Sequence, residues 1–75
     1  RRIMNKEQFL EEMVEVLQTE DEITMDTVLE DLEEWDSLSI MSTMAFLDKN
    51  FGVKTNMADY KNMTTIGDIA RKAGL

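Results

Sequence analysis

The chain has 75 residues, of which 43% are apolar, and a net charge of −8. This length predicts one small domain, residues 1–75, close to the lower limit for a self-sufficient hydrophobic core. The chain has no cysteine and no histidine, which excludes disulfides, thiolate nucleophiles, imidazole bases and the usual zinc ligands. Since no convergent set of carboxylates and lysines is visible either, we expect neither an enzyme nor a metal site.

The charge is unevenly distributed along the chain. Residues 1–36 contain thirteen acidic and three basic side chains, whereas residues 37–75 contain three acidic and five basic ones. The acidic excess disfavours nucleic-acid binding and favours basic protein partners, although an acidic face that simply keeps a small domain in solution explains it equally well. No apolar run approaches the roughly 20 residues of a membrane span and no signal-peptide region is visible, so we expect a monomeric, cytoplasmic protein.

The first helix is predicted from about residue 6 to residue 18. Asn5 followed by Gln8 resembles a capping box, in which side chains satisfy the free N–H groups of a helix start. Apolar residues then recur at helical spacing, namely Phe9, Leu10, Met13, Val14 and Leu17. Residues 1–3, which precede Met4, are interpreted as an expression remnant or a genuine extension.

Residues 19–35 are polar and acidic and predict a long ordered loop. An apolar island at Val28, Leu29 and Leu32 is expected to pin this loop and to form one helical turn. Loops of this length are uncommon in compact domains and usually have a function.

A second helix is predicted from about residue 37 to residue 50, with Asp36 as its N-cap. Its core stripe is expected to contain Ile40, Met44, Leu47 and Phe51. A second apolar cluster, Leu38, Met41 and Ala45, is rotated toward the surface. Phe46 falls on the polar side, among Ser39, Ser42 and Thr43, where it is either covered by a loop or exposed for a partner.

The last third of the chain predicts a short helix and a final helix. Gly52 is suited to end the second helix with a positive φ, and a short helix is expected around residues 58–62. Thr64 or Thr65 should cap a last helix that stops at Gly74. This helix contains Ile66, Ile69, Ala70 and Ala73. The predicted fold class is therefore all-α, a small helical bundle with three main helices and one short helix.

The tripeptide Asp36-Ser37-Leu38 is the candidate functional motif. A serine on the first turn of a helix presents its hydroxyl where backbone N–H groups are free and the helix macrodipole favours an anion, which suits a phosphate-linked group. The motif has a specific context: Leu32, Trp35-Asp36-Ser37-Leu38, Phe51-Gly52-Val53 and Thr64-Thr65-Ile66-Gly67-Asp68-Ile69. Together these segments resemble the acyl carrier protein family, over nearly the whole chain from Met4 onward.

The resemblance implies that Ser37 accepts 4′-phosphopantetheine from coenzyme A through a separate phosphopantetheinyl transferase. The thiol of this cofactor would carry an acyl group between acyl-loading and acyl-transferring enzymes, and the missing cysteine fits this role. Asp36 and Leu38 would flank the attachment point. The partner-facing residues would be Trp35, Leu38, Met41, Ala45 and Phe46. An acyl pocket would be lined by Met44, Leu47, Met63 and Ile66, although plain core filling also explains each methionine.

The chain departs from the common family pattern in the second helix. Ser39 stands where an acidic residue is frequent, and Ser42, Thr43 and Lys49 replace further acids. This favours a specialised pathway (polyketide, modified lipid or surface polysaccharide) over housekeeping fatty-acid synthesis.

Two alternatives to this assignment remain open, and a third fails. One is a D-alanyl, aminoacyl or peptidyl carrier that is loaded by an adenylating enzyme. Another, of a different class, is a helical interaction module without a cofactor. A calcium-binding EF-hand fails on spacing, because the segment from Asp21 to Leu32 has no central glycine and no glutamate at its twelfth position.

Overall fold

The computed structural model describes residues 4–75 and contains four helices. They are α1 (Lys6–Leu17), α2 (Ser37–Phe51), α3 (Met57–Lys61) and α4 (Ile66–Ala73). A single 3₁₀ turn, Leu29–Asp31, lies in the long connection between α1 and α2. No strand occurs within residues 4–75, so the prediction of an all-α domain with three main helices and one short helix is confirmed. The interpretation of residues 1–3 lies outside the described residues.

Helix α1 begins with the capping box that its sequence predicts. The Gln8 N–H donates to Asn5 Oδ1 (2.8 Å), and the Asn5 N–H donates to Gln8 Oε1 (3.0 Å), which completes a capping box. The helix buries Phe9, Met13 and Leu17 on one face. It ends at Gln18, which adopts the left-handed conformation at φ 56°.

The start of α2 and the glycine that follows its end are as predicted. Asp36 is its N-cap, and its side chain accepts a hydrogen bond from the Ser39 N–H (3.0 Å). Gly52 ends the helix at φ 69°, a conformation that glycine adopts at little cost because it has no Cβ. The helix extends one residue beyond the predicted end, to Phe51.

The buried face of α2 differs from the predicted stripe. Leu47 and Phe51 are buried as predicted, but Ile40 and Met44 are only half-buried. Ser39, Thr43 and Asn50, none of which belongs to the predicted stripe, are buried together with Phe46 and Leu47. The helix is therefore rotated so that part of its polar side faces the core.

The buried polar residues of α2 find hydrogen-bond partners on their own helix. Thr43 Oγ1 donates to the Ser39 carbonyl (2.9 Å), and Asn50 Nδ2 donates to the Phe46 carbonyl (3.1 Å). Because a buried polar group is costly only when it is left unpaired, these bonds allow a polar strip to face the core.

Three aromatic rings join α1 to α2 in the core. The ring centroid of Phe9 lies 6.0 Å from that of Phe46 and 6.2 Å from that of Phe51, and the Phe46 and Phe51 centroids are 5.9 Å apart. These separations fall within the range of favourable tilted and edge-to-face pairs. The cluster fixes the rotation of α2 relative to α1.

The long connection between α1 and α2 is fastened to the start of α4 by backbone hydrogen bonds. The Leu29 N–H donates to the Thr64 carbonyl (2.8 Å), and the Ile66 N–H donates to the Thr27 carbonyl (3.0 Å). The Gly67 N–H donates to the Met25 carbonyl (2.7 Å), and a Cβ on Gly67 would stand only 2.9 Å from that oxygen. These backbone hydrogen bonds explain how the polar connection between α1 and α2 stays ordered. They also explain why the second residue of α4 is the glycine Gly67.

Helices α3 and α4 have complete caps. Asn56 caps α3, which starts one residue before its predicted position. Thr65, and not Thr64, is the N-cap of α4, and Gly74 ends that helix at φ 95°.

The Thr64 and Thr65 N–H groups both donate to Asp68 Oδ2, at 2.7 and 3.1 Å. These two bonds lower the pKa of Asp68 below its ordinary value.

Candidate functional site

Ser37 is the first residue of α2 and is exposed to solvent. Capping of the helix start does not depend on it, since Asp36 and Ser39 satisfy each other: Ser39 Oγ accepts from the Asp36 N–H (2.8 Å) and donates to the Asp36 carbonyl (3.0 Å). The hydroxyl of Ser37 is thus held at the positive end of a helix of 15 residues, in a turn that two neighbours keep rigid.

Of the five residues predicted to face partners beside Ser37, three are exposed, one is half-buried and one is buried. Leu38 and Met41 expose 73% and 58% of their surface, and Ala45 is also exposed. Trp35 is half-buried against the core, and its ring centroid lies 6.2 Å from that of Tyr60. Exposed large apolar side chains that adjoin one another are unusual on a monomer and are typical of a contact surface.

Phe46 is the buried residue of the five, and its prediction as a partner-facing residue is wrong. Its side chain is 8% exposed and packs against the rings of Phe9 and Phe51. The expectation arose because Phe46 shares its side of the helix with Ser39 and Thr43. Those residues are themselves buried, so the whole side faces the core.

The residues predicted to line an acyl pocket lie in and beside the core. Leu47 and Ile66 are fully buried, and Met44 and Met63 are half-buried. A surface cleft of about 250 Å³ is lined by Met44, Ala45, Asp48, Lys54 and Thr55. Met44 is the only predicted pocket residue that lines this cleft, so the acyl pocket stays a prediction, and in this structure its other members pack in or against the core.

A second cleft lies between the end of α1 and the start of α2, and both sequence neighbours of Ser37 line it. This α1–α2 cleft has a volume of about 350 Å³ and is lined by Val16, Leu17, Gln18, Glu34, Asp36, Leu38, Ser39 and Ser42. Among residues 4–75, the Glu34 Oε1 atom is the one buried side-chain oxygen or nitrogen that has no hydrogen-bond partner. The cleft was not predicted, because its two walls are more than a dozen residues apart in sequence and meet only in the folded chain.

The described residues contain no group of three or more acidic side chains arranged to hold a metal ion. Within the same residues, no helix is long and apolar enough to cross a membrane.

A comparison with protein-family models decides the family. The model of the phosphopantetheine attachment site matches residues 7–72, which is most of the chain. The chain belongs to this family of carrier domains. Neither the comparison with curated proteins nor the comparison with solved structures found a match.

Domains of this family carry 4′-phosphopantetheine covalently on a serine and work with transferases and acyl-handling enzymes. They are carriers and not catalysts, so the carrier domain described by residues 7–72 is not itself an enzyme. The helical architecture of residues 4–75 agrees with the fold expected of an acyl carrier.

The site residues fit the cofactor. An exposed serine at a helix N-terminus suits a phosphodiester, because the free N–H groups and the macrodipole stabilise the negative charge. Glu34, three residues before Ser37, lines the α1–α2 cleft, and its Oε1 atom is buried without a hydrogen-bond partner.

Proposed function

We propose that Ser37 is the attachment serine and that the protein is an acyl carrier protein. The chain contains three serines, all on α2: Ser37, Ser39 and Ser42. Ser39 is 7% exposed and is bonded to Asp36 through both its lone pair and its proton. Ser42 is exposed but lies in the second turn, away from the free N–H groups of the helix start. The observation that carries the proposal is that Ser37 alone is both exposed and placed on the first turn.

The chemistry of loading is a transfer of the phosphopantetheinyl group from coenzyme A to Ser37. A bond forms between Ser37 Oγ and phosphorus while the bond from that phosphorus to the bridging oxygen of the nucleotide breaks. The hydroxyl proton passes to a base of the transferase, and adenosine 3′,5′-bisphosphate leaves. The role of this chain is to hold the Ser37 hydroxyl outward on a rigid turn, which the Asp36–Ser39 capping box provides.

When bound, the cofactor supplies a terminal thiol that carries acyl groups as thioesters. The exposed apolar surface of Leu38, Met41 and Ala45 adjoins Ser37 and supports a role as the docking surface for partner enzymes. Trp35, two residues before Ser37, is half-buried and stays a predicted partner-facing residue.

A specialised pathway is proposed in place of housekeeping fatty-acid synthesis, because α2 contains one acid, Asp48, and one base, Lys49. Partner recognition through α2 would therefore depend more on apolar contacts than on charge.

The other candidate is a D-alanyl or aminoacyl carrier loaded by an adenylating enzyme. It is favoured by the carboxylates that line the α1–α2 cleft, Glu34 and Asp36, which would attract an ammonium group on the cargo.

Intact-mass measurement tests the attachment site. The protein is incubated with coenzyme A and a broad-specificity phosphopantetheinyl transferase, and we expect a mass gain of one phosphopantetheinyl group. Ser37→Ala should abolish the gain, whereas Ser42→Ala, the matched exposed serine on the same helix, should retain it. A gain that survives Ser37→Ala, or no gain under conditions that modify a control carrier, would show that the proposal is wrong.

Loading the modified protein with different cargoes tests the pathway. Acyl groups and amino acids are offered with their respective loading enzymes, and the thioester products are identified by mass. Preferential loading with amino acids through an adenylating enzyme would favour the aminoacyl carrier over the acyl carrier.

A further inference from the structure

We propose that a partner enzyme docks on this domain with an arginine side chain in the α1–α2 cleft, where Glu34 and Asp36 supply the opposite charge. The inference rests on the proposed function, since it needs partners that act at Ser37 or on its cofactor. It extends the docking surface from α2 to the end of α1 and states the charge that a partner presents there.

Continuity with the exposed apolar surface is the first argument. At about 100° per residue, Met41 lies about 40° around α2 from Ser37, and Leu38 lies about 100° around it. Ser42, which lines the cleft, follows at about 140°. Leu38 therefore belongs both to the exposed apolar surface and to the rim of the cleft. A partner that covers Ser37, Met41 and Leu38 consequently reaches the cleft.

The walls of the cleft suit a side chain that has an apolar stem. Val16 and Leu17 from α1 and Leu38 from α2 give it apolar surface, and its volume is about 350 Å³. An arginine packs its methylene groups against such surface while its guanidinium stays at a polar position. Docking also covers Leu38, which is 73% exposed without a partner.

Charge decides which class of side chain occupies the cleft. Its lining includes two carboxylates, Glu34 and Asp36, and no lysine or arginine. The Oδ1 atom of Asp36 accepts from the Ser39 N–H, whereas its Oδ2 atom takes no part in that bond. A cation is therefore attracted to the cleft, and an acidic side chain is repelled from it.

The chain around the cleft adds to this negative charge. Residues 7–36 contain thirteen acidic side chains and no basic one. The Oε1 atom of Glu34 is buried and has no hydrogen-bond partner within residues 4–75. This oxygen does not need to face the cleft, since a cation in the cleft acts on its charge through space.

The opposite end of α2 differs in charge, and this difference gives the docking an orientation. Lys54 Nζ lies 3.3 Å from Asp48 Oδ2, and Lys49 beside Asp48 is exposed. A basic partner surface is therefore attracted to the start of α2 and not to its end. Arginine fits better than lysine, because its planar guanidinium can donate to two carboxylates at once and is more weakly hydrated.

Titration with a small arginine compound tests the cleft on the unmodified protein. N-acetyl-arginine amide is added and followed in ¹H–¹⁵N correlation spectra, and we expect saturable shifts of the amides of Val16, Leu17, Gln18 and Leu38. N-acetyl-citrulline amide is the matched control compound, because a neutral urea group replaces its guanidinium. It should bind about two- to fivefold more weakly, which is the effect of an exposed ion pair.

Variants at two adjacent glutamates separate the cleft from the general acidity of the chain. Glu34→Gln should weaken binding of the arginine compound about two- to fivefold, because it removes the charge at nearly unchanged size. Glu33→Gln is the matched control and should have a smaller effect, because Glu33 is exposed and does not line the cleft. Leu38→Ala removes an apolar wall at an exposed position and should weaken binding of both compounds.

Loading kinetics test whether a partner enzyme uses the cleft. With the phosphopantetheinyl transferase, Glu34→Gln should raise the KM for the carrier about two- to fivefold and leave kcat unchanged. The difference from the parent should shrink as salt is added, since salt screens the attraction. Glu33→Gln should raise the KM less. An unchanged KM in Glu34→Gln would refute the inference.

The remaining outcomes keep this inference apart from the proposed function. Equal binding of the arginine and citrulline compounds, or equal effects of Glu33→Gln and Glu34→Gln, would refute it while the mass gain at Ser37 stands. Loading with an amino acid that shifts the α1 amides, without binding of the arginine compound, would also refute it and would place the cargo in the cleft. If Ser37 is not modified at all, the proposed function fails and this inference fails with it, even if the arginine compound binds.

Discussion

Each face of α2 includes residues of a kind that a surface helix usually keeps on its other face. The face toward the core includes Ser39, Thr43 and Asn50, whereas the face toward solvent presents Leu38 and Met41. Polar residues can face the core here because neighbouring backbone groups pair with them. Apolar residues on the outside gain nothing for the isolated domain, so their position next to Ser37 is better explained by contact with other molecules.

This comparison indicates how stability and function are divided along one helix. The buried face is held by the aromatic cluster of Phe9, Phe46 and Phe51, which fixes the orientation of α2. The exposed face is free to vary without loss of folding. Substitutions on the two faces should therefore separate into those that change stability and those that change carrier activity.

The largest effect is expected from truncation of Phe46 in comparison with truncation of Leu38. Phe46→Ala should lower the free energy of unfolding by about 3–5 kcal/mol, because it leaves a cavity between two aromatic rings. Leu38→Ala should change it by no more than about 0.5 kcal/mol, since the side chain is exposed, but it should slow transfer by partner enzymes. Urea denaturation measures the free energy of unfolding, and a loading assay measures the rate of transfer by partner enzymes. Equal loss of stability in the two variants would contradict the division of the faces.

An intermediate effect on stability is expected when substitution of Ser39 is compared with substitution of Ser42. Ser39→Ala should cost about 1 kcal/mol, because the Asp36 N–H loses the acceptor that completes the capping box. Ser42→Ala, on the exposed side, should stay within about 0.5 kcal/mol of the parent. The change in the free energy of unfolding of each variant is obtained from the shift of its urea midpoint, provided that the dependence of this free energy on urea concentration is unchanged. If Ser42→Ala proved the more costly, the buried role of Ser39 would be wrong.

The smallest effect on stability is expected from a change of pH at the start of α4. The third residue of this helix, which completes its capping box, is the carboxylate Asp68, whereas in α2 it is the hydroxyl residue Ser39. Because the folded-state pKa of Asp68 is lowered, its contribution to stability is present above the unfolded-state pKa and is lost as the pH falls through the folded-state value. Asp68→Asn should thus be less stable than the parent near neutral pH, and the difference should shrink below about pH 4.

Thermal melts of the parent and Asp68→Asn across this pH range measure that difference. Glu20→Gln, at an exposed acid outside the caps, serves as the control for loss of one negative charge. A difference that stays constant from neutral to acid pH would indicate that the carboxylate of Asp68 does not stabilise the start of α4.

Local sequence signals determined much of this protein. The caps at Asn5, Asp36 and Gly52 mark helix ends through short-range hydrogen bonds and backbone conformation, so they are readable without the fold. The same holds for the place of Ser37 at the start of α2 and for the four-helix order. The match of the family model over residues 7–72 agrees with the resemblance to acyl carriers that these signals indicate.

The tertiary structure alone decided which face of α2 is buried. Apolar residues surround much of this helix, so their periodicity favours no single face strongly, and the stripe through Ile40 and Met44 was only partly correct. The rings of Phe9 and Phe51 select the face that contains Phe46, and this choice exposes Leu38 and Met41. The α1–α2 cleft and the unpaired oxygen of Glu34 likewise arise from segments that meet only on folding, because long-range packing, not local propensity, creates them.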